Sequence, residues 1–205
     1  MARPSSPILS AEKIARTALE LVDATGEFTV GAVADRLGVR PSSLYNHVSG
    51  RDDIVEGMRA LMLNHTAVMP DPEATWEEAF PRFLRGYRDA FARHPRLIPM
   101  ITSQTVMSEP VMRMYGVMAT ILRRSGVPDD LLLDAITIMD SYVLGAALDV
   151  AAPDEVWDSS AATSDAMRAA IQAAPTGRER ADRSFDIGLR VVLDGLRALT
   201  KEQIS

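Results

Sequence analysis

The stretch FTVGAVADRLGVRPSSLYNHVSGRDDI, residues 28–54, constrains the fold more than any other part of the chain. Thr29 can cap a short helix that holds Val33, Ala34 and Leu37, and Gly38 ends it. A third short helix starts near Pro41, where the missing N–H has no helical partner to lose. It turns Leu44 and Val48 inward at i, i+4 spacing, and Ser49-Gly50 breaks the chain again. The preceding residues 11–25 supply a packing partner. Ser10 is an N-cap, Gly26 a stop, and Ile14, Ala15, Ala18, Leu19 and Val22 share one face. Ala34 is small and sits four residues before Gly38, so the next helix can cross it closely. This is the sequence form of a helix-turn-helix, whose second helix enters the DNA major groove.

With Leu44 and Val48 inward, Ser42, Ser43, Asn46 and His47 face outward and Tyr45 lies at the edge. Asn can pair bidentately with adenine, and Ser can bond to base edges or phosphates. Tyr and His suit flanking phosphates, and Arg40, Arg51 and Lys13 add positive charge. Three short helices can also be only a packing unit. In that reading Tyr45 packs over the third helix, and His47 favours a helix C-terminus.

The rest of the chain reads as helix as well, which predicts an all-α fold. The expected domains are a three-helix DNA-binding head over 1–50 and a larger helical domain over 51–205. Arg51 to about Val68 is a connecting helix with Asp52 and Asp53 at its positive end. MPDPEAT (69–75) is a Pro-rich connector. Helices are expected over Trp76–Arg93, with Pro81 as a kink or late start, over 108–125, over 128–151 and over 178–200. HPRLIPMITSQ reads as two short turns, each stopped by a Pro. Residues 152–178 are small and polar, and read as a mobile loop with room for one short helix near 164–173.

Composition narrows the function. The chain has no Cys, which excludes disulfides, thiolate catalysis and Cys-ligated metals. His47, His65 and His94 have no HExxH-like spacing, so neither a metal site nor any cofactor is expected. No GxSxG, GxGxxG or GxxxxGK[ST] occurs, and carboxylate pairs such as Glu77-Glu78 and Asp129-Asp130 read as helix starts and solvated faces. An enzyme is therefore not expected. A ligand-binding protein that has lost DNA binding is the stronger rival to a regulator. Net charge is -6, yet it is uneven. Residues 1–51 carry six basic and five acidic side chains, leaving 16 basic and 23 acidic beyond them. That allows a DNA-binding head on an acidic body. No signal peptide is read at the N-terminus, and the longest apolar run, Val143 to Ala152, is broken by Asp149. The cytoplasm is the expected location.

TVGAVADRLGVRPSSLYNHVSGRDDIVEGM resembles the N-terminal domain of the tetracycline-repressor (TetR) family, most diagnostically in LGV and SSLYNHV. The resemblance continues. TWEEAFPRFLRGYRDAFARHP is similar to the family's first ligand-domain helix, and DAITIMDSYVLGAALD and SFDIGLRVVLDGLRAL to the two dimer helices of the tetracycline-repressor subgroup. It covers nearly the whole chain except 152–178.

The resemblance implies a homodimer on a palindromic double-stranded DNA operator. Its DNA-contact positions match Val30, Gly31, Arg40, Pro41, Ser42, Ser43, Tyr45, Asn46, His47 and Arg51. The tetracycline repressor itself carries Arg at the position of Gly31 and Trp at that of Asn46, so the operator sequence does not carry over. The dimer helices would present Tyr142, Val143, Ala146, Phe185, Leu189, Val192 and Leu196, with small Gly145, Ala147, Gly188 and Gly195 allowing close approach. Alternatively, these helices form the monomer's own core. The tetracycline pocket matches Phe83, Tyr87, Ile101, Gln104, Met118, Leu133, Ile136 and Asp140, and Met62, Met100, Met114 and Tyr115 lie near it in the family. Met lines adaptable surfaces, or simply fills a core. Ile101 replaces the His that holds the drug's magnesium, which predicts a small, largely apolar or aromatic effector oriented by Gln104, Tyr87 or Asp140. Effector binding would then shift the population toward a state in which helix 51–68 has swung, releasing the repressor from DNA.

Overall fold

The computed structural model describes residues 9–63 and 74–201. The expected end of the fourth helix near Val68, His65 and most of the Pro-rich connector lie outside the described residues. Among the described residues all regular structure is helical, in keeping with the all-α expectation.

The helices are α1 (Ala11–Thr25), α2 (Val30–Leu37), α3 (Pro41–Leu44), α4 (Arg51–Leu63), α5 (Trp76–Ala92), α6 (Ile98–Ile101), α7 (Glu109–Arg124), α8 (Leu132–Val150), α9 (Asp165–Ala173) and α10 (Gly177–Lys201). Local chemistry sets most of their ends. The hydroxyl of Ser10 accepts from Lys13 N at 3.2 Å, and that of Thr29 from Ala32 N at 3.0 Å. Gly26, Gly38 and Gly126 turn left-handed at φ 86°, 68° and 92°, where a Cβ would be strained. Pro95 and Pro99 open short turns rather than stop them, because a first-turn N–H is unneeded. Pro81 does not delay α5, which runs unbroken from Trp76.

The chain forms two compact units. One holds α1–α4 together with residues 93–117, the other holds α5 and the chain from Met118 onward, and α7 begins in the first and ends in the second. The expected boundary at 50/51 therefore does not separate them. Long-range polar contacts explain why. His94 Nδ1 lies 2.7 Å from Asp23 Oδ2, and Arg96 Nη1 donates to the carbonyls of Asp23 and Ala24 at 2.9 and 3.0 Å. The end of α1 is thus tied to residues far along the chain.

In the first unit Ile14, Ala18 and Val22 of α1 pack with Val33, Ala34, Leu44, Val55 and Met58, all fully buried. In the second, Phe80, Leu84, Tyr87 and Phe91 of α5 and Met139, Val143 and Ala147 of α8 are the buried centre. Residues 152–178 hold more structure than expected. Ser164 caps α9 by accepting from Met167 N at 3.2 Å, and Gly177 N donates to Asp154 O at 2.9 Å. The one short helix anticipated near 164–173 is α9.

Candidate nucleic-acid interface and effector residues

The head is built from caps upward. After α2, Gly38 reverses the chain and Val39 N donates to Ala34 O at 3.0 Å, so the orphan carbonyls of α2 are satisfied. Arg40 is extended and Pro41 opens α3. The recognition helix is shorter than its sequence pattern suggests. It ends at Leu44, and Tyr45, Asn46 and His47 form the turn that follows. Leu44 O accepts from both His47 N, at 2.9 Å, and Val48 N, at 3.1 Å. The i, i+4 burial of Leu44 and Val48 thus holds although regular helix stops between them. Asp53 then accepts from Ser49 N at 2.9 Å and fixes the entry into α4.

Burial of Leu44 turns the neighbouring side chains outward. Arg40, Pro41, Ser42, Tyr45, Asn46 and His47 are exposed, and Ser43, Val30 and Gly31 are half-buried. Tyr45 is 56% exposed, so it does not pack over the helix. Among the described residues no ion pair engages Arg40 or Arg51. The Arg51 guanidinium lies 5.0 Å over the ring of buried Phe28, which orients it beside this surface. The ten expected DNA-contact positions are therefore gathered in one unit, at the turn side of α2 and α3 and the start of α4.

The expected effector residues are distributed. Met62, Met100, Ile101, Gln104 and Met114 belong to the first unit; Phe83, Tyr87, Met118, Leu133, Ile136 and Asp140 belong to the second. In the first, Ile101 and Met114 are buried. Met62 and Met100 are half-buried, and Met100 lines an open cavity of about 550 Å³ with Thr25, Gly26, Arg51 and Arg96. Gln104 is already engaged, because its Nε2 donates to Asp52 Oδ1 at 2.9 Å. In the second, α5 carries a row of ring contacts, Phe80 stacked with Phe83 at 6.5 Å, Phe83 tilted to Tyr87 at 6.5 Å and Tyr87 edge-on to Phe91 at 5.4 Å. Buried Tyr87 donates its hydroxyl to the Asp140 carboxylate. Met118 is buried and Ile136 half-buried, but Leu133, placed in the pocket by the resemblance, is 77% exposed in the single chain.

The expected dimer residues differ in how far this chain alone covers them. Val143, Phe185, Leu189 and Leu196 are buried within the chain's own second unit, and Tyr142, Ala146 and Val192 are half-buried. Tyr142 stacks on Phe185 at 5.5 Å and donates to its backbone carbonyl. Burial raises the pKa of that phenol, against the opposing pull of the nearby Arg88 charge. Arg88, itself buried, lies 4.7 Å over Phe185 and donates to Asp182 Oδ1 at 2.6 Å. Burial alone would raise the Asp182 pKa; hydrogen bonds from Arg88 and Arg178 outweigh it and hold the carboxyl below its ordinary value. On these two helices the large apolar residues left exposed, among the described ones, are Leu133, Ile138 and Leu148 of α8 and Ile187 and Val191 of α10. Sequence spacing missed them because α8 is apolar nearly all round and so declares no inward face. Over Asp129–Val150 the helical stretch is even long and apolar enough, by length and composition, to cross a membrane, an 18-residue window of it having a mean hydropathy of 1.6. The expectation from unbroken apolar runs overlooked this, because isolated polar residues do not lower a window average enough.

Comparison with known proteins matches residues 69–200 to the family described as tetracyclin repressor-like, C-terminal domain. The HTH-type transcriptional repressor DrrR1 of Streptomyces coeruleorubidus is 28% identical over 71% of this chain, but the match spans only 56% of that protein. The class A tetracycline repressor protein from transposon 1721, in Escherichia coli, is 27% identical over 92% of this chain and 90% of its own length. The crystal structure of apo ActR from Streptomyces coelicolor superposes with a TM-score of 0.78 at 21% identity, covering 97% of this chain and all of that one.

Proposed function

The chain belongs to the tetracycline-repressor-like family, and from that premise we propose that it is a ligand-responsive, DNA-binding repressor of transcription rather than an enzyme. One observation carries the reading. The turns that end α2 and α3 present Ser42, Tyr45, Asn46 and His47 outward, their side chains without a hydrogen bond among the described residues, flanked by Arg40 and Arg51. Exposed polar side chains of this kind on a rigid turn suit base-edge and phosphate contacts. The names of two curated relatives, a transcriptional repressor and a tetracycline repressor, agree with it.

The proposed operator is palindromic and the proposed assembly a homodimer. The outer face of α8 and α10, with Leu133, Ile138, Ile187 and Val191, is the surface a second copy would cover. The proposed effector is small and largely apolar, because the candidate residues around the Tyr87–Asp140 pair are aromatic and aliphatic and the position expected to hold a magnesium-binding His is Ile101. Action on DNA places the protein in the cytoplasm under this reading.

Selection from a random duplex library with the purified protein tests the proposal. A palindromic winner should be enriched, bind less tightly as salt rises, and be lost by Tyr45→Ala. A folded dimer that enriches no duplex, with or without candidate hydrophobic ligands, would leave only the rival reading of a ligand-binding protein with a degenerate head.

A further inference from the structure

An open cavity of about 300 Å³ lies within the second unit, between the end of α9, the start of α10 and Trp157. That volume is at the lower end of the range of small-molecule sites, about 300–1,000 Å³. Local chemistry keeps the space free. The last turn of α9 offers only the short side chains of Ala170 and Ala173, and Ala174 and Pro175 lead the chain out of the helix. Gly177 N then donates to Asp154 O at 2.9 Å, which fixes where α10 begins.

The polar part of the lining is cationic. Arg180 is only 7% exposed. Its Nη1 donates to Asp149 Oδ2 at 2.9 Å and its Nη2 to the Asp149 carbonyl at 3.2 Å. The guanidinium lies 5.7 Å from the centroid of the Trp157 ring. Its Nε, in contrast, is buried with no hydrogen-bond partner. A buried donor left unmade costs its full desolvation, so an acceptor brought to it is favoured. Arg183 follows one turn along α10 on the same lining, exposed, and among the described residues no ion pair engages it. The Asp149 carboxylate already neutralises Arg180, which leaves Arg183 as the uncompensated charge. Ser184 adds a hydroxyl beside it. The rest of the lining is aromatic and aliphatic, and its largest member, Trp157, is 48% exposed.

We propose that this cavity is a second small-molecule site, which takes a small aromatic carboxylate. The carboxylate accepts from Arg180 Nε and pairs with Arg183, while the ring packs against Trp157 and the alanines of α9. The Tyr87–Asp140 pair carries a carboxylate of its own and disfavours an anion, so the two places select different ligands. The inference does not depend on the regulator reading, because binding is read without DNA. The rival occupant is a second copy of the chain, which would reach the cavity across exposed Ile187 at its edge.

Trp157 is itself the reporter. In the full chain carrying Trp76→Phe it is the sole Trp, and titration with benzoate should change its emission saturably. Calorimetry on the unmodified chain gives the affinities. Benzamide, the neutral isostere, should bind about 10-fold more weakly than benzoate, since hydrogen bonds to charged groups are the stronger ones. Arg183→Met keeps the apolar stem and should bring benzoate down to the affinity of benzamide. Ala173→Leu fills the cavity from an exposed position and should abolish binding of both. Arg180→Lys keeps a cation for Asp149 but removes Nε, and should also weaken benzoate. Should that buried substitution not fold, Arg183→Met and Ala173→Leu decide. No saturable change in Trp157 emission, the result if a second copy fills the cavity, overturns the site. Equal affinity for benzoate and benzamide, or binding that survives Ala173→Leu, overturns it as well.

Discussion

The hydroxyl oxygen of Tyr142 stands 2.5 Å from the point where a Cβ on Gly188 would sit, with two ring carbons at 2.8 and 3.0 Å. The ring has little freedom to move, because it is stacked on Phe185 with an interplanar angle of 10°. Gly188 is thus the residue that lets α8 and α10 close on each other. Gly188→Ala gains helix propensity, up to about 1 kcal/mol. It also displaces Tyr142 from both the stack and the hydrogen bond. The expected net effect is a loss of about 1–3 kcal/mol, as for other overpacked cores, read by thermal or urea unfolding. Gly145→Ala, where nothing lies within 4 Å of the new Cβ, should not destabilise the chain. Equal stability of the two variants would show that the Tyr142 contact does not hold this helix pair.

The outer face of the same helices makes a different prediction. Leu133 is 77% exposed and Val191 66%, and neither contributes to the chain's own core. Val191→Glu should therefore leave helicity and folding unchanged while shifting sedimentation from dimer to monomer. Operator affinity should fall with it, because two linked heads bind far more tightly than one. A variant that stays dimeric would move the interface to another surface.

Charge at the head should act through salt. Arg51→Ala is expected to weaken binding to all duplexes alike, and to lower the slope of log affinity against log salt by about 1. Loss of the Phe28 contact should cost no more than about 1 kcal/mol of stability. Asn46→Ala, in contrast, should relax sequence preference with the slope unchanged. Salt titrations on the selected duplex and on a scrambled one separate the two outcomes.

Asp182 contributes acid sensitivity to the second unit. Arg88 and Arg178 hold its folded-state pKa below the unfolded value. Its contribution to stability is therefore complete above the ordinary carboxylate range and is lost as pH falls through the lowered folded value. Asp182→Asn should be less stable than the parent at neutral pH, since Arg88 is then buried without its carboxylate, and the gap should shrink below about pH 4. Urea unfolding across that range reads it. A gap that stays constant would mean that the carboxylate charge contributes nothing there.

Local signals in the sequence were reliable where the chemistry is local. Ser10, Thr29, Gly26 and Gly38 mark helix ends because a cap needs only its neighbours. Leu44 and Val48 mark the inward side of the head because a four-residue spacing leaves no second choice. Legibility failed where a partner comes from far along the chain. Nothing near Gln104 says that Asp52 will hold it, and Asp52 reads as an ordinary helix-start charge. The exposure of Leu133 and the burial of Phe185 are illegible for a related reason. On a helix apolar on both sides, only the neighbours decide which side is core. The buried Glu56–Arg59 pair did leave a trace, as opposite charges one turn apart within α4, but the pattern is shared with exposed surface pairs.

The division of labour at the head has a consequence for how such a protein can change. Leu44 and Val48 anchor the turn from beneath, while Ser42, Tyr45, Asn46 and His47 point away and support nothing. Folding places almost no demand on which polar residues occupy those four positions. Substitutions there can retune the cognate sequence freely, so a duplicated copy could acquire its own address on DNA in a few single steps, each leaving a folded intermediate.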